Sequence, residues 1–543
     1  MRECIINING KVWRRCKMNK RMEVIEKEKI FVWGIVSVIL LMAFSKNSPI
    51  YLTNNWVDAN AFMTMGKGMM QGLVPYKDLF EQKGPLLYLI YGLSSLINSK
   101  EFTGIYIVEC IGMTINLVFC FKILKLYLSE KSSFLLTLFF PVLLLNDQFF
   151  RQGGSAEELS IPLLMLLLYS VMKTIKISSE SLHFSKWIYL WQGLSVSMIF
   201  FIKFTLLGPW VGFYLFIFIY LIVKKETKEL ATLIVYSAIG LFIGILPWLS
   251  YFLLNDAIAD FFNVYLFINS NAYNASSVNL IERFSFILQV VIENMKENWI
   301  TLLLVFPGWV IIPVFQEISK KSSHRLFLFV ISLSTLFFTY IGMKSYEYYF
   351  LFFMPFGVVG LVMLGKISSF LINEAKRILD FKSTILFPWA FIVSFLLIFG
   401  YNGNLQESLY FPNNSTFGTK GTEEKRTAQK LFAEYMLMEK TNPTLLNFGF
   451  LDGGFYLAAD ILPSEYYFEL QNLEYSVFPD NYDGQIQAIE EGRVDFVVVE
   501  TDPKQQEEYF DQLGLTENYQ AVMTHNQTCD ERERMYWLFE QKR

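Results

Sequence analysis

The sequence predicts a mainly α-helical protein: a polytopic bundle of about eleven transmembrane helices, followed by a small soluble α/β domain. Three observations lead to this fold class. Of the 543 residues, 53% are hydrophobic, and 53 are Phe. The apolar residues gather in long runs that are almost free of charge, and turn-rich acidic sequence is concentrated after residue 400. Because about 20 apolar residues in a helix cross a hydrocarbon core of about 30 Å, such runs predict membrane spans.

Ten apolar runs supply the predicted spans, at 30–45, 102–121, 133–146, 157–172, 187–223, 230–254, 299–315, 326–343, 347–365 and 384–400. The run 187–223 is too long for one crossing, so we expect it to turn near 203–209, which brings the count to eleven. The apolar segment 85–98 has only 14 residues. We expect it to be an interfacial or re-entrant element, because a span needs more residues.

Basic residues indicate the orientation, because Lys and Arg near helix ends favour the cytoplasmic side. Residues 1–29 form a basic segment ahead of the first span, with no cleavage site after it. We therefore expect this segment to be cytoplasmic and the first loop, 46–101, to be extracytoplasmic. Later basic clusters then also fall inside, whereas a crossing at 85–98 would move all of them outside. Residues 30–400 form the membrane domain in this interpretation.

Residues 401–543 are expected to form an extracytoplasmic α/β domain. They hold 25 acidic and 11 basic residues, a net charge of −14, whereas the first 400 residues carry a net charge of +10. The segments 444–450 and 493–502 are typical of buried strands, and 424–439, 484–491 and 504–513 are typical of helices. The acidity is typical of a soluble surface.

Several chemistries are disfavoured by the sequence. No GxxxxGK[ST] loop is present, so no ATP partner is expected, and no nucleic-acid partner is expected either. The three His residues are far apart in sequence, which argues against a His-based metal site or a His base. Only Cys529 lies in the C-terminal domain, so no disulfide within that domain is expected.

Four clusters of ionisable and aromatic residues fall on the predicted outer face. Charged groups near a bilayer are costly, so four clusters on one side suggest a shared site. Single members have plainer explanations: lysines snorkel to lipid phosphates, acids favour helix N-termini, and tyrosines form interfacial belts. The clusters comprise Asp58, Asp78 and Glu81; Asp147, Arg151, Glu157 and Glu158; Lys203; and Lys344, Tyr346, Glu347, Tyr348 and Tyr349.

The order of these features resembles the GT-C membrane glycosyltransferases, which include protein O-mannosyltransferases, aminoarabinose transferases and other bacterial cell-envelope enzymes. The resemblance covers residues 30–400. It rests on an outer-loop Asp followed by "VPYKDLFEQKGPLLY", on "RQGGSAEELSIPL", on "FIKFTLLGP" and on "YEYYFLFFMPF". Relatives often have a second acid beside the first Asp and a His before the late Tyr, where this chain has Glu347.

The resemblance implies an enzyme of the bacterial plasma membrane that moves a sugar, with inversion, from a polyprenyl-phosphate donor to a cell-envelope acceptor. It implies Asp58 as the catalytic base and Asp78 or Glu81 as a second acid. Need for a divalent metal ion stays open. Donor phosphate contacts are expected from Arg151, Lys203 and Lys344. Acceptor or sugar contacts are expected from Glu157, Glu158, Tyr346, Glu347 and Tyr348.

Two other functions stay open at this point. A multi-pass transporter or flippase of lipid-linked sugars would also have many helices and charges near the membrane. A non-catalytic envelope assembly protein would use the acidic domain to hold its partners. The absence of an obvious repeat and the large first loop argue against the transporter.

Overall fold

The computed structural model describes residues 29–51, 53–178, 181–272, 279–375, 383–408, 410, 427–502, 510–511, 513–529 and 532–542. Its first part is helical. The helices are α1 Lys29–Phe44, α2 Val57–Met70, α3 Pro85–Ser95, α4 Thr103–Lys125, α5 Glu130–Thr137, α6 Phe140–Leu144, α7 Asp147–Phe150, α8 Ala156–Ile177, α9 Lys186–Ile202, α10 Gly208–Val223, α11 Thr227–Leu254, α12 Ile258–Phe261, α13 Asn269–Ala272, α14 Leu280–Glu297, α15 Phe306–Val310, α16 Ser322–Thr339, α17 Gly357–Ala375 and α18 Ser383–Phe399.

Short segments of tighter or wider helix join some of these elements. They are the 3₁₀ segments Phe204–Leu207, Glu347–Phe356 and Asn404–Glu407, and the π-helical segments Phe262–Ile268 and Thr301–Val305. In the membrane part, α9 packs along α11, α10 along α16, and α4 against α8. Such mid-helix changes of winding are often found where a helix is interrupted at a functional site.

The described residues contain six helices long and apolar enough to cross a membrane, together with four shorter apolar helices. The chain is therefore a membrane-embedded helical protein, as the sequence predicts. The break in the run 187–223 occurs at Lys203, between α9 and the 3₁₀ segment. The segment 85–98 contains the 11-residue α3, whose length of about 17 Å is well short of a bilayer core.

Two predicted spans are divided in the structure. The run 133–146 is split into α5 and α6, and Pro141 stands in the first turn of α6. The run 299–315 begins as a π-helical segment and continues as α15, with Pro307 in its first turn. Proline fits the first turn of a helix but interrupts a longer one, because it lacks an N–H.

The C-terminal part is an α/β unit with the order α19 Ala428–Glu439, β1 Leu445–Phe448, α20 Phe455–Ala459, α21 Asp480–Glu490, β2 Phe496–Thr501, α22 Leu515–Asn518, β3 Tyr519–Cys529 and β4 Arg532–Gln541. The sheet order is β1-β2-β4-β3, with β1 parallel to β2 and the last two strands forming an antiparallel hairpin. The two predicted strands and the first two predicted helices are confirmed. The predicted helix 504–513 lies mostly outside the described residues.

The sequence does not predict several elements, including α2, which lies in the expected outer loop, the hairpin strands β3 and β4, and helix α14. The hairpin strands mix charged and apolar residues in sequences such as "RERMYWLFEQ". Helix α14 is amphipathic and carries charges near both of its ends. Its start is fixed by a capping box, in which Asn279 accepts from the Glu282 N–H and the Glu282 side chain accepts from the Asn279 N–H.

The α/β unit packs on the loop between α2 and α3. Phe80 stacks on Phe478 with ring centres 5.2 Å apart, and its N–H donates to the Tyr466 carbonyl at 3.0 Å. Residues from both parts of the chain belong to one hydrophobic cluster. The helix that carries Asp58 is therefore held between the membrane bundle and the α/β unit.

Candidate active site

Helix α2 places Asp58 in its first turn, where a carboxylate favours the positive end of the helix dipole. Asp58 is half-buried. The Tyr348 hydroxyl donates to Asp58 Oδ2 at 3.4 Å, and the Tyr348 ring meets the Trp56 ring edge-on with centres 5.5 Å apart. The carboxylate predicted as a base thus lies against an aromatic wall formed by Tyr348 and Trp56, and it keeps access to solvent.

Two glycines allow α2 and α3 to pack backbone against backbone. A Cβ on Gly66 would lie 2.4 Å from the Gly92 nitrogen, closer than real side chains approach. Gly66 and Gly92 therefore fix the distance between the Asp58 helix and its neighbour.

A third glycine brings two lysine-bearing segments together. A Cβ on Gly84 would lie 2.1 Å from the Phe201 carbonyl oxygen, and the Gly84 N–H donates to the Ile202 carbonyl at 3.0 Å. The neighbouring residues in each segment are Lys83 and Lys203. Backbone contact at Gly84 therefore explains why these two lysines line the same cavity.

Lys203 is buried at the break that follows α9. Its Nζ lies 2.5 Å from Glu157 Oε1, in the first turn of α8. The same Nζ lies 3.6 Å from the centre of the Tyr349 ring and 5.6 Å from that of Tyr348. Lys203 therefore contacts, through Tyr348, the same aromatic wall that holds Asp58.

Three lysines line one cavity of about 280 Å³ beside this wall: Lys83, Lys203 and Lys344. The lining also includes Tyr349 and Thr205. The buried Thr205 hydroxyl has no hydrogen-bond partner in the described part of the chain. Ammonium groups that converge on a concave site suit an anion such as a phosphate.

Hydrogen bonds hold the walls of this cavity. Asn269 donates to the Gln82 carbonyl at 2.7 Å, and the Phe204 N–H donates to the Tyr265 hydroxyl at 3.2 Å. The Tyr265 hydroxyl also donates to the Phe200 carbonyl. The cavity is thus bounded by chain segments that are far apart in sequence and bonded to one another.

The two candidate second acids lie in different environments. Asp78 is exposed and accepts from the Val74 N–H at 2.6 Å, so it closes the turn after α2. Glu81 is buried and accepts from the Lys83 N–H at 2.8 Å and from the Tyr88 hydroxyl. Its Oε1 lies 3.6 Å from Lys83 Nζ, so Glu81 orients a lysine of the cavity.

The acids do not form a metal site with the geometry shown. Within the described residues, no group of three His, Cys, Asp or Glu side chains is placed to hold a metal ion. Asp78 and Glu81 are each engaged in hydrogen bonds of their own loop. The described residues therefore do not fit a divalent metal ion.

Arg151 lies apart from the three-lysine cavity. It has a positive φ of 57°, and its Nη1 lies 3.8 Å from Glu347 Oε2. Glu347 lines a separate polar pocket with Asp147 and Gln148. The structure thus brings Arg151 and Glu347 together, but away from Lys203 and Lys344.

The remaining predicted residues divide between two places. Glu157 faces Lys203, whereas the adjacent Glu158 is buried and accepts from the Gly154 N–H at 2.8 Å, on the side of the RQGG loop. Tyr346 stacks on Tyr348 with ring centres 5.8 Å apart, so it extends the aromatic wall. Glu157, Tyr346 and Tyr348 therefore lie with the Asp58 site, and Glu158 does not.

Sequence reasoning missed Lys83 and Thr205 as lining residues. The available signal was the position of Lys83, directly before the Gly-Pro that begins α3. A basic side chain at the start of a short apolar helix lies near the membrane surface, where a lipid phosphate would lie. Thr205 carries no comparable signal, because its place beside the cavity depends on the break at Lys203.

Comparisons with known proteins address the fold. No protein-family model and no curated protein matches the sequence significantly. Among solved structures, ArnT from Cupriavidus metallidurans bound to undecaprenyl phosphate is similar over 94% of this chain and 97% of that chain, with a TM-score of 0.58 and 12% identity. The same protein in the apo state gives a TM-score of 0.58 at 10% identity, over 94% of this chain and 97% of that chain.

A weaker likeness is to the oligosaccharyltransferase of Archaeoglobus fulgidus, with a TM-score of 0.48 and 10% identity over 93% of this chain and 74% of that chain. The likeness to ArnT extends over nearly the whole of both chains, including the α/β unit after the membrane helices. The chain therefore shares its fold with ArnT.

Proposed function

We propose that this protein is a membrane glycosyltransferase that moves a sugar from a polyprenyl-phosphate donor to a hydroxyl of a cell-envelope acceptor. The observation that carries the proposal is the cavity lined by Lys83, Lys203 and Lys344, which lies against the aromatic wall that holds Asp58. A cationic pocket beside a half-buried carboxylate supplies the two groups that this reaction needs. The structural likeness to an ArnT that binds undecaprenyl phosphate supports a lipid of this class as the donor's carrier.

In the proposed reaction, the acceptor oxygen attacks the anomeric carbon of the donor sugar from the face opposite the phosphate. The bond from the anomeric carbon to the phosphate oxygen breaks with both electrons going to that oxygen, so the configuration inverts. Asp58 takes the proton of the acceptor hydroxyl, because an alcohol is a weak nucleophile at neutral pH. The products are the glycosylated acceptor and the polyprenyl monophosphate.

The three lysines act on the leaving group. Charge builds on the phosphate as the glycosidic bond breaks, and fixed cations stabilise such charge in the transition state. Glu157 and Glu81 hold Lys203 and Lys83 by ion pairs, so these ammonium groups need little reorganisation during the reaction. The sugar would then lie between the cavity and Asp58, against Tyr348 and Tyr349.

The site is proposed to face the extracytoplasmic side of the bacterial plasma membrane, with the basic N-terminal segment inside. A polyprenyl donor then presents its phosphate at the outer leaflet, and α3 lines the path of its chain. Met438, 84% exposed on α19, is a suitable position for an introduced cysteine. In a background without native cysteines, Met438→Cys should react with an impermeant maleimide in intact cells, and Lys131→Cys should not.

Three measurements test the proposed function. Purified protein should bind undecaprenyl phosphate, and it should transfer radiolabelled sugar from at least one of the undecaprenyl-phosphate-linked sugars glucose, mannose and N-acetylgalactosamine to an envelope extract. Deletion should remove one sugar modification from that extract. If the protein were a flippase, membranes from the deletion strain would still transfer sugar when the donor is supplied on the outer side. If it were a scaffold, the purified protein would neither bind undecaprenyl phosphate nor transfer sugar. Either result would contradict the proposal.

A further inference from the structure

A second concave site lies between the first loop and the α/β unit. This interdomain cleft has a volume of about 230 Å³. Ligand sites occur preferentially at such boundaries between two folded parts of a chain. Its lining includes Lys46, Asn60, Lys100, Glu101, Lys430 and Gln527.

The cleft is distinct from the three-lysine cavity, because the two share no lining residue. Asn60 lines the cleft, whereas Asp58, two residues earlier, faces Tyr348. Two residues on a helix differ by about 200° around its axis, so these side chains point to roughly opposite sides of α2.

The walls of the cleft are preorganised by bonds between chain segments. Gln527 accepts from the Ala428 N–H at 2.8 Å, and Gln429 donates to the Gly453 carbonyl at 2.8 Å. Gly454 has a φ of +86°, and a Cβ there would lie 3.0 Å from the Asn60 amide oxygen. The glycine therefore lets the α/β unit approach α2 at the base of the cleft.

Positive charge predominates on the lining, which carries three lysines and one glutamate. Lys46 is buried and compensated, since its Nζ lies 2.6 Å from Glu407 Oε2. Lys100 and Lys430 are exposed, and neither forms an ion pair within the part of the chain that the structure describes. Asp460, close to Lys100 in the fold, is paired with Lys67 at 2.8 Å.

Amide side chains supply the rest of the polar lining, together with the Thr53, Thr103 and Thr427 residues. Amides and hydroxyls both donate and accept, so they match the hydroxyl groups of a sugar. The two exposed ammonium groups of Lys100 and Lys430 add a preference for an anion. Phosphate or carboxylate on a hydroxyl-rich molecule combines both properties.

We infer that the interdomain cleft binds an anionic saccharide, a sugar segment that carries phosphate or carboxylate groups, as the part of the acceptor remote from the reacting hydroxyl. The role of this saccharide as the acceptor rests on the proposed function, whereas its binding to the cleft does not. An anionic lipid headgroup presents similar chemistry, and the experiment separates the two sources. Lys100 and Lys430 are the residues that select the anion.

The test uses the full chain in nanodiscs and calorimetric titration with trigalacturonate, a carboxylate-bearing trisaccharide, and with neutral maltotriose. Wild-type protein should bind trigalacturonate at least about fivefold more tightly than maltotriose. The double variant Lys100→Ala/Lys430→Ala should lose at least about fivefold in trigalacturonate affinity, the effect of two exposed charges together. Lys542→Ala, an exposed lysine at the far end of the α/β unit, should bind like wild type.

Equal trigalacturonate affinity in the wild type and the double variant, including no binding in either, would overturn the inference. Phosphatidylglycerol in the nanodisc should leave trigalacturonate binding unchanged. Competition by phosphatidylglycerol that is lost in the double variant would instead assign the cleft to a lipid headgroup. Undecaprenyl phosphate binding should be the same in the wild type and the double variant, so loss of donor-lipid binding and loss of saccharide binding report separately on the two proposals.

Discussion

The Tyr348 hydroxyl lies 3.4 Å from the Asp58 carboxylate, although the two residues are 290 positions apart in the sequence. This contact joins the first turn of α2 to the 3₁₀ segment before α17. Tyr348 also lies beside Lys203, so one aromatic ring connects the proposed base with the cation-lined cavity. The arrangement makes several outcomes predictable.

Tyr348→Phe removes the hydroxyl but keeps the ring against Trp56. A hydrogen bond to a charged group contributes about 1.5–3 kcal/mol, and a long one contributes less. We expect turnover to fall about three- to tenfold, with donor affinity unchanged. Steady-state kinetics with the donor lipid varied would check this. A loss confined to donor KM would show that Tyr348 acts on the donor and not through Asp58.

Lys344→Gln should weaken donor binding at least about tenfold, because it removes one charged contact to phosphate. Arg151→Gln is the matched comparison. The planar guanidinium of Arg151 suits a phosphate by its chemistry, but Arg151 pairs with Glu347, which lines a different pocket. We therefore expect Arg151→Gln to have the smaller effect on undecaprenyl phosphate affinity. The reverse ranking would contradict the assignment of the cavity.

Lys203 and Glu157 form a buried ion pair, so removal of one partner leaves a charge without compensation. Lys203→Met should destabilise the protein by about 3–5 kcal/mol, and Lys203→Met/Glu157→Gln should recover a large part of the loss. Melting in detergent, followed by tryptophan fluorescence, would compare the three proteins. Equal destabilisation in the single and double variants would show that the pair is not energetically coupled.

Asp452 in the α/β unit accepts from the Thr64 hydroxyl of α2 at 2.6 Å. Burial raises the pKa of Asp452 from its ordinary value of 3.8 to about 6. Between about pH 4 and pH 6, the folded protein keeps this carboxyl protonated, whereas the unfolded chain releases the proton. The contribution of Asp452 to stability is therefore present at low pH and is lost as the pH rises. In Asp452→Asn, the melting temperature at pH 4.5 minus the melting temperature at pH 7 should be smaller than in the wild type. An unchanged difference would exclude Asp452 as a source of the pH dependence.

The sequence predicts the helical class, the break near Lys203, the short α3 and the first two strands, because each follows from the length or pattern of an apolar run. It does not predict which charged residues meet. Asp58, Glu157, Lys203 and Tyr348 come from four separate elements, and their proximity depends on helix packing that no local pattern encodes.

The presence of Lys83 and Lys203 in one cavity illustrates the same limit. The sequence shows a glycine at position 84 but not why a glycine is needed there. The structure gives the reason, because a Cβ on Gly84 would lie 2.1 Å from the Phe201 carbonyl oxygen. Arg151 shows the converse. Its residue type suits a phosphate, yet a loop with positive φ angles directs it to Glu347. Residue chemistry therefore selected the candidates, and tertiary packing decided which of them share a site.

Asp58 is proposed to remove the acceptor proton. Asp58→Asn keeps the size and polarity of the side chain but removes the proton acceptor, and general-base catalysis contributes about 10²–10⁴-fold in rate. Transfer of radiolabelled sugar by purified Asp58→Asn protein should fall at least about a hundredfold, while undecaprenyl phosphate affinity stays within about twofold of the wild type. Transfer at the wild-type rate by this variant would show that Asp58 is not the base.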